Sequence, residues 1–172
     1  MAGVDEFITK PLFRSRIQDL FINILEGKPN DSAKNYLSDI MKLNYKDKKI
    51  LVAEDNDLNR EIAKEIIEMA GVKVDTACNG KEAVEMLKNS DAGTYDIIFM
   101  DHMMPEMDGV ETTKRIRKLP GGDGKNVRII ALTANAIQGV ENEYIAAGMD
   151  DWIFKPVRQE QLKKMILKHL KM

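Results

Sequence analysis

This sequence predicts an α/β fold built on a five-stranded parallel sheet, for three reasons. Short continuous apolar runs recur, such as Ile50-Leu51-Val52-Ala53 and Ile97-Ile98-Phe99-Met100, without the alternation of a half-exposed strand. Stretches with helical apolar spacing separate them, so strand and helix alternate along the chain. Polar residues stand at the far ends of these runs (Glu54-Asp55, Asp101, Thr133, Lys155), where open α/β sheets place their ligand sites. Five strands and five helices with right-handed crossovers give a three-layer sandwich, and the flavodoxin-like order 2-1-3-4-5 is the topology expected.

The elements follow in order from Lys48. Strand 50–53 leads into a helix at 58–69, which Gly71 ends. Strand 72–77 precedes an Asn79-Gly80 turn and a helix at 83–88. Strand 95–100 is followed by the Pro- and Gly-containing loop after Asp101, then by a helix at 110–119. Pro120-Gly121-Gly122-Asp123-Gly124 reads as a turn-rich loop. Strand 127–132, a helix at 136–147, strand 152–154 and a helix at 159–169 complete the series.

The segment before Lys48 partly repeats the end of the chain. Ala2, Gly3, Asp5, Ile8, Lys10 and Pro11 recur, at the same spacings, as Ala147, Gly148, Asp150, Ile153, Lys155 and Pro156. Residues 1–26 therefore read as the last strand and helix of a preceding domain of the same kind. Phe13, Ile17, Leu20, Phe21, Ile24 and Leu25 share one helical face, which needs a partner. Residues 27–47, rich in Lys, Asn, Asp and Ser, read as a linker, with a short helix at 36–43. Residues 48–172 form the main domain.

The 172 residues suffice for one well-packed domain plus this appendage. With 31% charged residues and a formal net charge of −2, nothing favours nucleic acid or an anionic membrane as partner. No apolar run approaches the roughly 20 residues of a membrane helix. The first residues lack a signal-peptide pattern, and the single cysteine, Cys78, cannot pair internally, so a reducing cytoplasm is expected. Cys78 itself reads as a small packing residue.

Any one of the polar strand-end residues has a mundane reading: Asp55, Asn56 or Asp57 as a helix cap, Thr133 as a strand residue, Lys155 as a solvated charge. Their shared edge argues for chemistry. Three carboxylates, Glu54, Asp55 and Asp101, make a hard-oxygen cage that suits Mg²⁺. Asp101, ionised at neutral pH, can attack a phosphoryl group and become an acyl phosphate. Lys155 supplies a point charge and Thr133 a hydroxyl for the phosphoryl oxygens.

Residues 48–171 resemble a response-regulator receiver domain over their whole length. The motifs that carry the resemblance are Glu54-Asp55, Met100-Asp101 with Met104-Pro105-Glu106-Met107-Asp108-Gly109, Ala131-Leu132-Thr133-Ala134, and Gly148-Met149-Asp150-Asp151 before Lys155-Pro156. Residues 131–136 and Lys155-Pro156-Val157 are similar to receivers of hybrid histidine kinases, and residues 3–12 to the tail of a receiver in a tandem pair. The resemblance implies a segment of a longer hybrid kinase, whose parent protein can be membrane-anchored. It implies that Asp101 accepts phosphate from a kinase histidine and that a histidine phosphotransfer domain is a further partner. Self-catalysed phosphorylation and dephosphorylation are implied rather than enzymatic turnover.

The resemblance also implies Mg²⁺ (or Mn²⁺) held by Asp55, Asp101, the Met103 backbone carbonyl and, through water, Glu54. Thr133 and Lys155 would sense the phosphate, and Trp152 stands at the switch position, where the family usually has Phe or Tyr. Met103 and Asn135 would flank the path of hydrolytic water and tune the lifetime of the phosphoaspartate. The signal would leave through the fourth helix, fifth strand and fifth helix. That face, or the N-terminal helix, is where a homodimer is expected. Lys10, in the repeated segment, lacks an acidic partner set and serves no site.

Three rivals are weaker. A phosphatase of the haloacid dehalogenase type would carry a second Asp where Met103 stands. A nucleotide or flavin domain would need a Gly-rich phosphate loop after the first strand, which is acidic instead. A receiver-fold interaction module without phosphorylation would not need the complete set of site residues. His102 reads as a loop residue, since a hard-oxygen Mg²⁺ site needs no imidazole, and His169 as a cation at a helix end.

Overall fold

Two apolar faces on each of the three central strands organise the fold. A computed structural model describes residues 45–120, 123–134 and 140–170. The repeated segment, residues 27–44 and Asn135 lie outside the described residues. The order of elements is β1 (Lys49–Ala53), α1 (Asp57–Glu68), β2 (Lys73–Ala77), α2 (Gly80–Lys88), β3 (Ile97–Asp101), α3 (Gly109–Arg117), a one-turn α4 (Asp123–Asn126), β4 (Arg128–Thr133), α5 (Val140–Ala147), β5 (Asp151–Phe154) and α6 (Gln159–His169). All strand pairs are parallel and the sheet order is β2-β1-β3-β4-β5, as expected.

Successive side chains of a strand point to opposite faces. Leu51, Ala53, Ile98, Met100, Ile129 and Ala131 pack with Leu87 of α2, Ile116 of α3 and Tyr144 of α5. Ile50, Val52, Ile97, Phe99, Ile130 and Leu132 pack with Ile67 of α1 and Leu162 and Ile166 of α6. The result is the three-layer sandwich, with β3 buried at every position. Tyr45, inside the stretch read as linker, is also buried, in the α1–α6 layer.

Local chemistry sets the helix starts. Asn56 caps α1 by accepting from the Asn59 N–H at 3.0 Å, and Asp108 caps α3 by accepting from the Glu111 N–H at 2.7 Å. Three details differ from the sequence expectation, the first being that the one-turn α4 makes a sixth helix among the described residues where the stretch from Pro120 to Gly124 reads as loop. Asn79-Gly80 is not a separate turn: Asn79 is an N-cap, accepting from the Glu82 N–H at 2.9 Å, and α2 begins at Gly80. A Cβ at Gly80 would overlap Thr112 and the Met107 carbonyl, so glycine lets α2 approach the loop before α3. Cys78 is exposed rather than packed, because it lies past the last core residue of β2, Ala77. Its N–H donates to Glu82 Oε2 at 2.7 Å, and that carboxylate, first among the causes, pushes the thiol pKa up.

Candidate functional site

Strand register brings the polar residues together. Ala53 pairs with Met100, Asp101 with Leu132, and Thr133 with Phe154. The residues at or just beyond these positions are Glu54-Asp55, Asp101, Thr133 and Lys155, all at the carboxyl edge of the sheet. Glu54 is 2% and Asp101 4% exposed, whereas Asp55 is exposed.

Lys155 ties the edge together. Its Nζ lies 2.7 Å from Asp101 Oδ2 and 2.7 Å from Glu54 Oε2. The Met103 N–H donates to Asp101 Oδ1 at 3.2 Å. Burial pushes the Asp101 carboxyl above its ordinary value, with Glu54 adding to the push while Lys155 and the Met103 N–H oppose it. Burial alone would lower the Lys155 pKa, but its bonds to Asp101 and Glu54 outweigh this and raise it, so the ammonium stays charged.

Ligand oxygens of Glu54, Asp55 and Asp101 lie within 4.8 Å of one another. This all-carboxylate set fits a hard divalent cation such as Mg²⁺ and offers nothing to a soft one. Two of the three carboxylates are buried, which a solvated acidic face would not require.

The loop after β1 is braced by residues that sequence reasoning does not single out. Asn59 Nδ2 donates to Glu54 Oε1 at 3.1 Å. Arg60 donates to the Glu54 carbonyl at 2.8 Å and pairs with Asp57. Their signal in the sequence is position, polar residues one turn into the helix that follows the acidic pair. On the other side, a Cβ at Gly109 would overlap the Asp101 carbonyl oxygen, so only glycine lets α3 start directly beneath the site.

Thr133 is fully buried and its Oγ1 lies 2.9 Å from the Tyr144 hydroxyl. Tyr144 is a second residue that sequence reasoning misses; its cue is a helix position one turn before Ala147, on the buried face. Burial raises the Tyr144 phenol pKa and keeps it protonated. Trp152 is half-buried against the same core layer. The ring of His102 stands edge-on to Tyr144 at 5.3 Å, and its Nδ1 is buried with no hydrogen-bond partner among the described residues. His169 does more than complement a helix dipole, since its Nε2 lies 2.9 Å from Asp151 Oδ2. The Gly148–Asp151 motif also serves the architecture. Arg117 donates to the carbonyls of Gly148, Gly124 and Val127 and pairs with Asp150 at 2.9 Å.

A family model for the response regulator receiver domain matches residues 50–167. The chain belongs to this family. The receiver is similar to hybrid signal transduction histidine kinase B of Dictyostelium discoideum, with 41% identity over 132 residues, covering 71% of this chain and 7% of that protein. A solved receiver domain of the Pseudomonas aeruginosa sensor histidine kinase PA1611, with magnesium coordinated in its active-site cleft, is 34% identical. Its TM-score is 0.64, with 71% of this chain and 96% of that one covered. The receiver domain of Ssk1 from Saccharomyces cerevisiae, solved with the histidine phosphotransfer protein Ypd1, is 32% identical. It has a TM-score of 0.64 and coverage of 71% and 88%. The chain spans about a sixth or less of the length of the curated relatives it matches. No described helix is long and apolar enough to cross a membrane.

Proposed function

We propose that this receiver is the phosphoacceptor of a two-component phosphorelay, taking a phosphoryl group from a kinase histidine onto Asp101. The observation that carries the reading is the arrangement around Asp101. A buried carboxylate stands at a strand end, 2.7 Å from the Lys155 ammonium and clustered with two further acids. An Asp101 oxygen attacks phosphorus, forming a P–O bond as the P–N bond to the donor imidazole breaks and its electron pair returns to nitrogen. Mg²⁺, or Mn²⁺ in its place, held by Asp55, Asp101, the Met103 carbonyl and, through water, Glu54, would offset the repulsion between the two anions.

Lys155 and Thr133 then hold the phosphoryl oxygens, the first by charge and the second through its hydroxyl. Phosphorylation adds about one further negative charge at this edge and strong acceptors. The change would pass through Thr133 to Trp152 and the face formed by α5, β5 and α6. Met103 and Asn135 border the approach of hydrolytic water and set the lifetime of the adduct.

The donor is a histidine kinase domain, and a histidine phosphotransfer domain is a second partner. Leu58 and Met103 suit such docking: they follow Asp55 and Asp101 closely and are 69% and 71% exposed, apolar contacts beside the reacting carboxylate. Residues 1–26 belong to the tail of a preceding receiver in a hybrid kinase, joined through a linker that ends before the buried Tyr45.

The test is intact mass after incubation with acetyl phosphate, with and without Mg²⁺, beside Asp101→Asn. A Mg²⁺-dependent phosphate adduct absent from the variant is expected. A folded, Mg²⁺-binding wild type that takes no phosphate would overturn the reading in favour of an interaction module.

A further inference from the structure

Tyr144 has no part in the transfer scheme, yet its side chain is 1% exposed and its hydroxyl lies 2.9 Å from Thr133 Oγ1. A buried phenol is costly unless its O–H finds a partner, and Thr133 meets that need. The ring is held as well as the hydroxyl, by His102, the residue after Asp101. One side chain of α5 thus touches both the strand end that carries Thr133 and the loop that begins at Asp101.

Each hydroxyl has a single hydrogen, so the pair has two arrangements. In one, Thr133 donates to Tyr144. In the other, Tyr144 donates to Thr133, and the Thr133 hydrogen turns toward the site. Only the second lets Thr133 donate to an anion on Asp101. A hydroxyl that already accepts a hydrogen bond also donates a stronger one. The structure has Tyr144 as the donor, and an anion at Asp101 that draws the Thr133 hydrogen strengthens this bond between α5 and the sheet.

We propose that Tyr144 is a positioning residue for Thr133: its hydroxyl, by donating to Thr133 Oγ1, aims the Thr133 hydroxyl at the phosphoryl group and couples its arrival to α5. The proposal rests on the reading of Asp101 as phosphoacceptor and Thr133 as donor to the phosphate. It is separate from the role given to Trp152, which packs half-buried against the same layer.

The experiment compares wild type, Tyr144→Phe, Thr133→Ala, the double variant and Trp152→Phe by the rate of adduct formation from acetyl phosphate. Tyr144→Phe keeps the ring and removes the bond, and is expected to slow the rate about threefold to tenfold, the range of one hydrogen bond. The double variant is expected to be no slower than Thr133→Ala, while Mg²⁺ affinity stays at the wild-type value in Tyr144→Phe. A role confined to packing would leave the Tyr144→Phe effect unchanged in the Thr133→Ala background, and that result would overturn the proposal. So would a wild-type rate in Tyr144→Phe. Amide exchange across α5, measured on the wild type before and after phosphorylation, gives a second readout: protection that does not change counts against coupling. A wild type that takes no phosphate overturns the phosphoacceptor reading and this one together. Phosphorylation at the wild-type rate in Tyr144→Phe overturns this one alone.

Discussion

Lys155 Nζ stands 2.7 Å from Asp101 Oδ2 and 2.7 Å from Glu54 Oε2, so one ammonium bridges two carboxylates that are almost sealed from water. Removing it leaves like charges buried side by side. Lys155→Met is expected to cost about 3 kcal/mol of stability, the scale of breaking a buried ion pair. Added Mg²⁺ should restore more stability to the variant than to the wild type, since a cation replaces the lost charge. Urea melts with and without Mg²⁺ check this; equal gains in the two proteins would count against it.

The acidic cluster makes a direct prediction for divalent ions. A ligand that binds only the folded state stabilises it by about 2.7 kcal/mol at a hundredfold excess over its dissociation constant. Mg²⁺ should therefore raise the wild-type melting temperature in a saturable way. Asp55→Asn should weaken the effect while barely changing the fold, because Asp55 is exposed. A variant that responds to Mg²⁺ as the wild type does would remove Asp55 from the ligand set.

Gly109 meets the Asp101 carbonyl with no room for a side chain. Gly109→Ala is expected to cost about 1–3 kcal/mol, as overpacking does in well-filled sites. Because the clash falls on Asp101 itself, the adduct yield with acetyl phosphate should fall with stability. A fully stable, fully reactive variant would contradict the close approach.

Asp151 offers a test by acid. Burial would raise its carboxyl, but Lys168 Nζ at 2.6 Å, His169 Nε2 at 2.9 Å and the Trp152 N–H at 3.0 Å outweigh it, and the pKa falls below the ordinary 3.8. A carboxylate lowered in this way contributes stability in full above its unfolded value, and the contribution fades as pH drops through the folded one. With Lys168 largely exposed, Asp151→Asn should cost only about 1 kcal/mol at pH 7. The cost should shrink steadily in acid. Paired melts at pH 7 and at the lowest pH that still permits folding decide it; a constant difference would reject the charge-based account.

Much of this fold is legible in one dimension. The order of strands and helices follows from apolar periodicity, because β3 and its neighbours are covered on both faces and so carry unbroken apolar runs. Glu54, Asp55, Asp101, Thr133 and Lys155 stand out because each lies at or just past the end of a run, and parallel strands deliver such ends to one edge. Cys78 departs from its expected packing for a related reason: periodicity near a strand end does not say where the core stops.

The sequence alone therefore determined the architecture and the set of charges at the carboxyl edge, since both depend on local pattern and on chain direction. Only the tertiary structure decided which partners those charges meet. The pairing of Lys155 with both Glu54 and Asp101, the Arg117 clamp on Gly148 and Asp150, and the contact of Tyr144 with Thr133 all join distant parts of the chain. Spacing along one element tells which of its faces is buried, but which side chains of other elements meet that face is set only when the elements pack together.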